Sequence, residues 1–196
     1  MSPADLMVHP TAVVDEGAVL GEGTRVWHFC HIMPGARLGR GCSLGQNVFV
    51  AGTAVLGDGV KVQNNVSIYD GVICADHVFL GPSCVFTNVS TPRSSVDRRG
   101  AYETTHVGEG ATIGANATIV CGVRIGPWAF VGAGAVVTHD IPPHALVTGV
   151  PARITGWACR CGIRLPTEGP QVTCHGCGAS YELDPQGRVL PIVGEP

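Results

Sequence analysis

A period of six residues is the feature that most restricts what this chain can become. In the stretch IGANATIVCGVRIG, residues 113–126, the aliphatic residues Ile113, Ile119 and Ile125 fall six apart. A half-buried strand repeats every second residue and a helix every 3.6, so neither accounts for the spacing. From Val8 the hexads run VHPTAV, VDEGAV, LGEGTR, VWHFCH, IMPGAR, LGRGCS, LGQNVF, VAGTAV, LGDGVK, VQNNVS, IYDGVI, CADHVF, LGPSCV and FTNVST; from Val107 they resume as VGEGAT, IGANAT, IVCGVR, IGPWAF, VGAGAV and VTHDIP. Across these twenty hexads the first position is aliphatic except at Cys74 and Phe86, and the fifth is Ala, Val, Cys, Thr or Ser except at Ile141.

A large side chain at position one and a small one at position five both point inward if the chain turns a corner once per hexad. Three hexads then close a triangular coil of 18 residues, and coils stack at about the inter-strand spacing of ~4.8 Å. Twenty hexads make six and two-thirds coils, a prism roughly 32 Å long at that spacing. The expected fold is all-β, a parallel β-helix of hexapeptide repeats over residues 8–142 after a lead of residues 1–7. Glycines at positions two and four are expected to serve the corners, where positive φ is needed. Cys30, Cys42 and Cys84 at fifth positions and Cys74 at a first position are expected to be inert core thiols, with Cys121 at a corner. His28, Asn64, Asp70 and Asn88 occupy third positions, which face outward.

The balance of charges is near neutral, a formal −3, and offers no electrostatic footprint for nucleic acid or an anionic membrane. The opening MSPADLMVHP lacks the basic start and apolar core of a signal peptide, so the expected location is cytoplasmic. Residues 111–138 carry one charge, Arg124, but their five glycines and one proline suit repeated turns rather than a spanning helix.

The register breaks once. Residues 87–106, TNVSTPRSSVDRRGAYETTH, hold fifteen residues beyond the repeat. Because the period resumes, the insertion must leave and rejoin the stack at one corner. A long loop on a regular scaffold is commonly functional. This one carries Arg93, Arg98, Arg99, Tyr102, Glu103 and His106, and its arginines suit phosphate or carboxylate. Asn88 stands where the loop departs, one coil above Asp70, which marks this corner as a substrate cleft.

After Trp157 the composition changes. Cys159 and Cys161, then Cys174 and Cys177, form CxC and CxxC pairs with twelve residues between them. Two thiol pairs each followed by glycine suit a zinc-ribbon-like unit over residues 158–183, with free thiols on a tail as the bland alternative. Few basic residues lie near, only Arg160, Arg164 and His175, which argues against nucleic acid there. Residues 184–196 read as a loose tail.

The ending GAGAVVTHDIPPHALVTGVPARITGW resembles the hexapeptide acyltransferases that use acetyl-CoA. Together with WHFCHIMPGARLG, LGQNVFV, VQNNVSIYDGV, FTNVSTPRS and GAYETTHVGEGATIGANATIVCGV, it is similar to the nucleotide-sugar N-acetyltransferases of bacterial surface-polysaccharide synthesis. Among them it is most similar to those acetylating the 3-amino group of UDP-2-acetamido-3-amino-2,3-dideoxy-glucuronate, for lipopolysaccharide O-antigen sugars. The resemblance implies left-handed coiling and a homotrimer with a site in each groove between subunits. It implies an acetyl-CoA segment at 143–157, a pantetheine groove at Ala115 and Ala133, and CoA phosphates at Arg153. It further implies that Asn88 binds the sugar and Arg93 a phosphate or uronate carboxylate.

Asn88 or Asp70 would position the amine, with Arg93, Arg98, Tyr102 and Glu103 as further substrate contacts. His31, from a neighbouring subunit, and His106 are the rival candidates for a general base. Other functions on this scaffold are transfer to another amino sugar or to a hydroxyl, a γ-type carbonic anhydrase, or a non-catalytic scaffold. The anhydrase would use His139 and His144, but no third histidine partner is evident, and Pro142–Pro143 between them is expected to end the coil.

Overall fold

The structure is a computed structural model describing residues 5–184 and 188–191; the remainder of the lead and of the expected tail lies outside the described residues. The hexads form short strands at positions six and one, and these stack into three parallel sheets, the faces of a triangular prism. Face I runs upward from Met7–Val8 through Arg25–Val26, Ser43–Leu44, Lys61–Val62, Phe79–Leu80, Thr112–Ile113 and Phe130–Val131 to Ala145–Thr148. Face II runs from Val13–Val14 through His31–Ile32, Phe49–Val50, Ser67–Ile68, Val85–Phe86 and Thr118–Ile119 to Val136–Val137. Face III runs from Val19–Leu20 through Arg37–Leu38, Val55–Leu56, Val72–Cys74 and Thr105–Val107 to Arg124–Ile125. Pairs such as Met7↔Arg25 and Thr118↔Val136 realise the 18-residue coil, and the whole is the left-handed β-helix of hexapeptide repeats. No helix among the described residues is long and apolar enough to cross a membrane.

The two inward positions build one continuous core. Ile113, Ile119 and Val131 at position one and Ala111, Ala117 and Ala135 at position five are all 0% exposed. Each large aliphatic buried this way contributes about 1.5–3 kcal/mol relative to leaving it in water. The core thiols behave as small apolar groups: Cys30 and Cys42 donate to Gly45 O and Gly57 O, and burial pushes the Cys84 thiol up to about 12.

The corners correct one expectation. Positive φ in the hexads belongs to position four, where Phe29 (φ 57°), Asn65 (φ 61°) and Trp128 (φ 58°) adopt it without glycine's freedom, although Thr11 and Thr53 at the same position do not. Glycine at position two has a different cause. A Cβ on Gly108 would lie 2.6 Å from Pro127 N, and one on Gly114 2.5 Å from Ala133 N. At those corners the next coil's backbone passes too close for a Cβ, whereas the corners of Trp27, Ala51 and Gln63 have room for one at the same position.

Two further expectations change at the ends. Pro142–Pro143 does not end the coil. Ile141 bridges Ile125, and Leu146 and Val147 pair with Phe130 and Val131. Val137-Thr138-His139-Asp140 is thus a shortened side, after which IPPHAL is a full hexad. Ile141, the exception at position five, sits in a first position. Its hexad turns at His144, whose φ of 61° matches Trp128 one coil below. Arg153–Trp157 then runs antiparallel to Ala145–Thr148 and closes the upper edge of face I.

The tail is not wholly loose either. Val189–Pro191 pairs with Ser180–Leu183, which also pairs with Gln171–Thr173 in a small antiparallel sheet. Arg188 secures this hairpin by donating N–H to Asp184 Oδ1 at 2.8 Å and pairing with its carboxylate at 2.6 Å.

The two corner constraints separate by mutation. Gly108→Ala and Gly41→Ala should both destabilise, each by about 1–3 kcal/mol. Gly41, φ 65° with nothing within 4 Å of an added Cβ, should accept Asn with most of its stability restored, because Asn tolerates positive φ. Gly108→Asn should be worse than Gly108→Ala. Urea unfolding midpoints of the four variants check this.

Candidate active site and metal centre

The insertion leaves and rejoins the prism at the edge between faces II and III. Glu103 N donates to Asn88 O at 2.9 Å and closes the neck of the loop. Beyond the neck, Thr105 N bonds Gly71 O and His106 pairs with Ile73, so the coil resumes as if nothing intervened. Asn88, Arg93 and Arg98 line one hollow of about 380 Å³ together with Val89, Pro92, Ser94 and Val96. The loop holds its own shape: Arg98 Nε donates to Thr91 O at 3.3 Å and Arg99 pairs with Asp97.

Tyr102 and Glu103 do not line that hollow. Tyr102 is 42% exposed, and the Glu103 carboxylate lies 3.7 Å from Cys121 Sγ, over the corner at Gly122. Asp70 is tied to the scaffold: its Oδ1 accepts from Thr53 N at 3.1 Å and from the Thr53 hydroxyl at 2.8 Å. It belongs to a ladder of third-position side chains that accept from the backbone one coil below. Asp58 takes Arg40 N at 2.7 Å, Asn64 takes Gln46 N at 2.8 Å and Asp76 takes Asp58 N at 2.7 Å. A polar residue at position three is therefore structural before it is anything else.

Of the two histidines, His106 lies on face III at the height of the loop's return, between Ile73 and Arg124. His31 lies on face II with Nε2 2.9 Å from Asp15 Oδ2 and its ring edge-on to Phe49. Its strand is three rungs below Val85, hence about 14 Å below the height of Asn88.

Ala115 and Ala133 occupy a different edge, between faces I and II, one and two coils above the loop. With Gly114, Gly132 and Gly134 they make a corner almost without side chains, open to a narrow chain-like ligand, where Gly134 N bonds Ala115 O at 2.8 Å. Arg153 is exposed at the upper end and lines a hollow of about 300 Å³ with Thr138, His139 and Asp140. In a single chain the Asn88 group and the Ala115 group are thus separated by the width of face II.

Among the described residues one side-chain cluster has the geometry of a metal site: the Sγ atoms of Cys159, Cys161, Cys174 and Cys177 lie within 4.8 Å of one another. Tetrahedral Zn–S bonds of ~2.3 Å require sulfurs about 3.8 Å apart, and Cys159–Cys177 at 3.4 Å and Cys161–Cys174 at 3.5 Å stand close to that. Gly176 N points at Cys174 Sγ. The Tyr181 hydroxyl lies 3.0 Å from Cys159 Sγ, a buried neighbour that the cysteine spacing gave no reason to expect. The unit could therefore hold a structural Zn²⁺. His139 and His144 do not converge, since His144 is buried with Nδ1 on Ala158 O while His139 bonds Thr138. That removes the anhydrase arrangement.

The sequence matches the family Bacterial transferase hexapeptide (six repeats) over residues 7–52 and 104–139, and the hexapeptide repeat of succinyl-transferase over residues 35–70. It is 45% identical over 175 residues to the dTDP-3-amino-3,6-dideoxy-alpha-D-galactopyranose 3-N-acetyltransferase of Aneurinibacillus thermoaerophilus, covering 89% of this chain and 90% of that one. The chain belongs to the hexapeptide-repeat nucleotide-sugar N-acetyltransferases. The bifunctional protein GlmU of Mycolicibacterium vanbaalenii is 34% identical over 145 residues, 73% of the acetyltransferase but only 27% of GlmU. A hexapeptide-repeat acetyltransferase of Vibrio cholerae O1 biovar eltor, solved with acetyl coenzyme A, superposes with a TM-score of 0.55 at 31% identity, over 62% of this chain and 70% of that one. The acetyltransferase uses acetyl-CoA as acyl donor.

The thiol cluster carries its own prediction. Elemental analysis of the purified acetyltransferase should find one zinc per chain, and Cys174→Ser should lose it. Retention of zinc by a chain lacking both Cys174 and Cys177 would place the ion elsewhere.

Proposed function

We propose that the acceptor is the 3-amino group of a nucleotide-linked 3-amino sugar, acetylated by direct attack on the thioester in a groove between two copies of the chain. The pattern of residues resembles enzymes acting on UDP-2-acetamido-3-amino-2,3-dideoxy-glucuronate. The relative that is 45% identical is named for a dTDP-linked 3-amino sugar. The 3-amino hexose is common to both, and the UDP-linked uronic acid, destined for lipopolysaccharide O-antigen, is the version proposed here. Acetyl-CoA and sugar nucleotides are both made in the cytoplasm, where the reaction would run.

The observation that carries this reading is the relation of two edges. The loop hollow holding Asn88, Arg93 and Arg98 and the bare corner at Ala115 and Ala133 lie at adjacent heights but on different edges. A threefold axis parallel to the prism keeps every coil at its own height and brings unlike edges of neighbours together. The loop of one copy would then meet the bare corner of the next, supporting a homotrimer with three sites. Arg153, farther up, is assigned to the CoA phosphates.

In this reading the neutral amine attacks the thioester carbonyl carbon. A sugar amine with a pKa near the α-amino value of about 7.7–8.0 is partly neutral at cellular pH, so no strong base is required. Asn88 orients the amine, with Asp70 one coil below shaping the floor, and a backbone N–H of the bare corner receives the oxyanion. The C–S bond breaks as the amide forms, and the departing thiolate takes the proton from nitrogen. Arg93 and Arg98 hold the acceptor's anionic groups. His31 has the wrong height in any copy so arranged.

Incubation with acetyl-CoA and UDP- and dTDP-linked amino sugars, following thiol release, tests the assignment. Acceptance of a hydroxyl acceptor alone would overturn it. Asn88→Ala should lower kcat/KM at least about tenfold through lost positioning, and Arg93→Ala should raise KM for the acceptor about tenfold or more. His31→Ala and His106→Ala should each keep kcat within tenfold. A loss beyond roughly a hundredfold from either would assign it general-base work instead.

A further inference from the structure

The third edge of the prism, between faces III and I, carries neither the loop nor the bare corner. At its upper end Pro127 and Trp128 turn one coil, and Pro143 and His144 turn the next. The antiparallel hairpin of the cysteine-rich unit lies against these two corners. Its Tyr181, Val189 and Leu190 close a cavity of about 550 Å³ with them. That volume is in the range of small-molecule sites, and the wall is chiefly apolar. The Trp128 ring is laid over Gly110 of the coil below, in the space that a Cβ there would occupy.

Three polar side chains give the cavity its chemistry. His144 is 3% exposed, and its Nδ1 lies 2.9 Å from Ala158 O. A carbonyl only accepts, so Nδ1 carries the ring proton and Nε2 is left as an acceptor. Burial pulls the His144 pKa down, which keeps the ring neutral at pH 7. Nε2 has no hydrogen-bond partner among the described residues. Among these residues only Thr105 Oγ1 is sealed without a partner, so Nε2 stays accessible, through the cavity that His144 lines. Arg160 and Arg188, both exposed, line the same cavity, and no carboxylate does. Arg188 also pairs with Asp184 at 2.6 Å.

We infer that this cavity is a binding site for a small aromatic carboxylate whose ring bears an O–H or N–H donor, separate from the loop hollow and the bare corner. The flat ring packs among Trp128, Pro127 and Pro143. Its donor reaches His144 Nε2, and its carboxylate meets the guanidinium groups of Arg160 and Arg188. Two arginines disfavour a cationic ligand, and an apolar ligand without a donor leaves Nε2 desolvated and unpaired. Trp128 and His144 belong to the prism and the arginines to the cysteine-rich unit, so the ligand bridges the two. The loop hollow lies on the edge between faces II and III and the bare corner on that between faces I and II, so the third edge leaves both uncovered.

Calorimetry of the full chain with indole-3-acetate tests this. The comparison probes are 1-methylindole-3-acetate, which lacks the N–H, and tryptamine, which has an ammonium in place of the carboxylate. Indole-3-acetate should bind with a Kd of about 1 mM or below, as a ligand of its size can. The methylated acid should bind at least about fivefold more weakly, and tryptamine at least about tenfold more weakly. Trp128→Ala and Arg160→Gln should each weaken indole-3-acetate at least about fivefold. Saturating acetyl-CoA should leave the affinity for indole-3-acetate unchanged. The inference is overturned by affinities for the three probes that agree within about twofold, since a site built on charge and a hydrogen bond must tell them apart. It is equally overturned if both variants bind indole-3-acetate like wild type, if acetyl-CoA displaces it, or if wild type binds none of it.

Discussion

Everything in this molecule depends on the backbone hydrogen bonds that join each coil to the next. They are possible only if a strand two residues long is followed by a corner of fixed shape, again and again, at a separation of one inter-strand spacing. Position four supplies the shape at most corners by standing in the left-handed region, whether Gly, Asn, His, Ser, Phe or Trp occupies it. Where position two is glycine, as at Gly108 and Gly114, the neighbouring backbone leaves no space for a Cβ. Positions one and five fill the interior that results. A stack built this way has no choice of register: each residue lies above the one eighteen before it, and a slip would bury outward groups.

Such regularity explains where chemistry can reside. The interior is filled, and most polar residues at the corners serve the backbone, as Asp58, Asp76 and Asp70 do by accepting an N–H from the coil below. What remains free to bind a substrate is a departure from the repeat. The loop between Asn88 and Glu103 is the departure, and the bare corner at Ala115 and Ala133 keeps the repeat but is left open by its small side chains. They lie on two different edges of the prism.

The cysteine-rich unit is tied to the prism at its upper end. Ala158 N donates to His144 O, His144 Nδ1 bonds Ala158 O, and Tyr181 stands edge-on to His144 while touching Cys159. The last strand of the prism, Arg153–Trp157, runs directly into the first thiol pair. The segment that carries Arg153 is held by its pairing with Ala145–Thr148 and leads straight into the thiol cluster.

Very little of the β-helix was hidden in the linear chain, because its contacts are local in period: one coil repeats the demand of the last, and Ile113, Ile119 and Ile125 state it openly. The four thiols could be paired for the same reason, each pair lying close in sequence. Misreadings arose where the period shifts or a residue answers to a neighbour in space. Ile141 looked like an exception until the shortened side at His139–Asp140 returned it to a first position, and the strand at Val189–Pro191 pairs with Ser180–Leu183 inside what composition reads as a loose tail. Position-two glycines seemed to need positive φ, since clearance between coils is invisible without the second coil. The sequence by itself determined the coil, its register and the corner at which the loop leaves. Only the tertiary structure decided that Asp70 is held by Thr53, that Glu103 folds onto Cys121, and that Asn88 and Ala115 stand on separate edges. Those outcomes depend on residues sixteen or more positions apart meeting across coils, a relation that stacking creates.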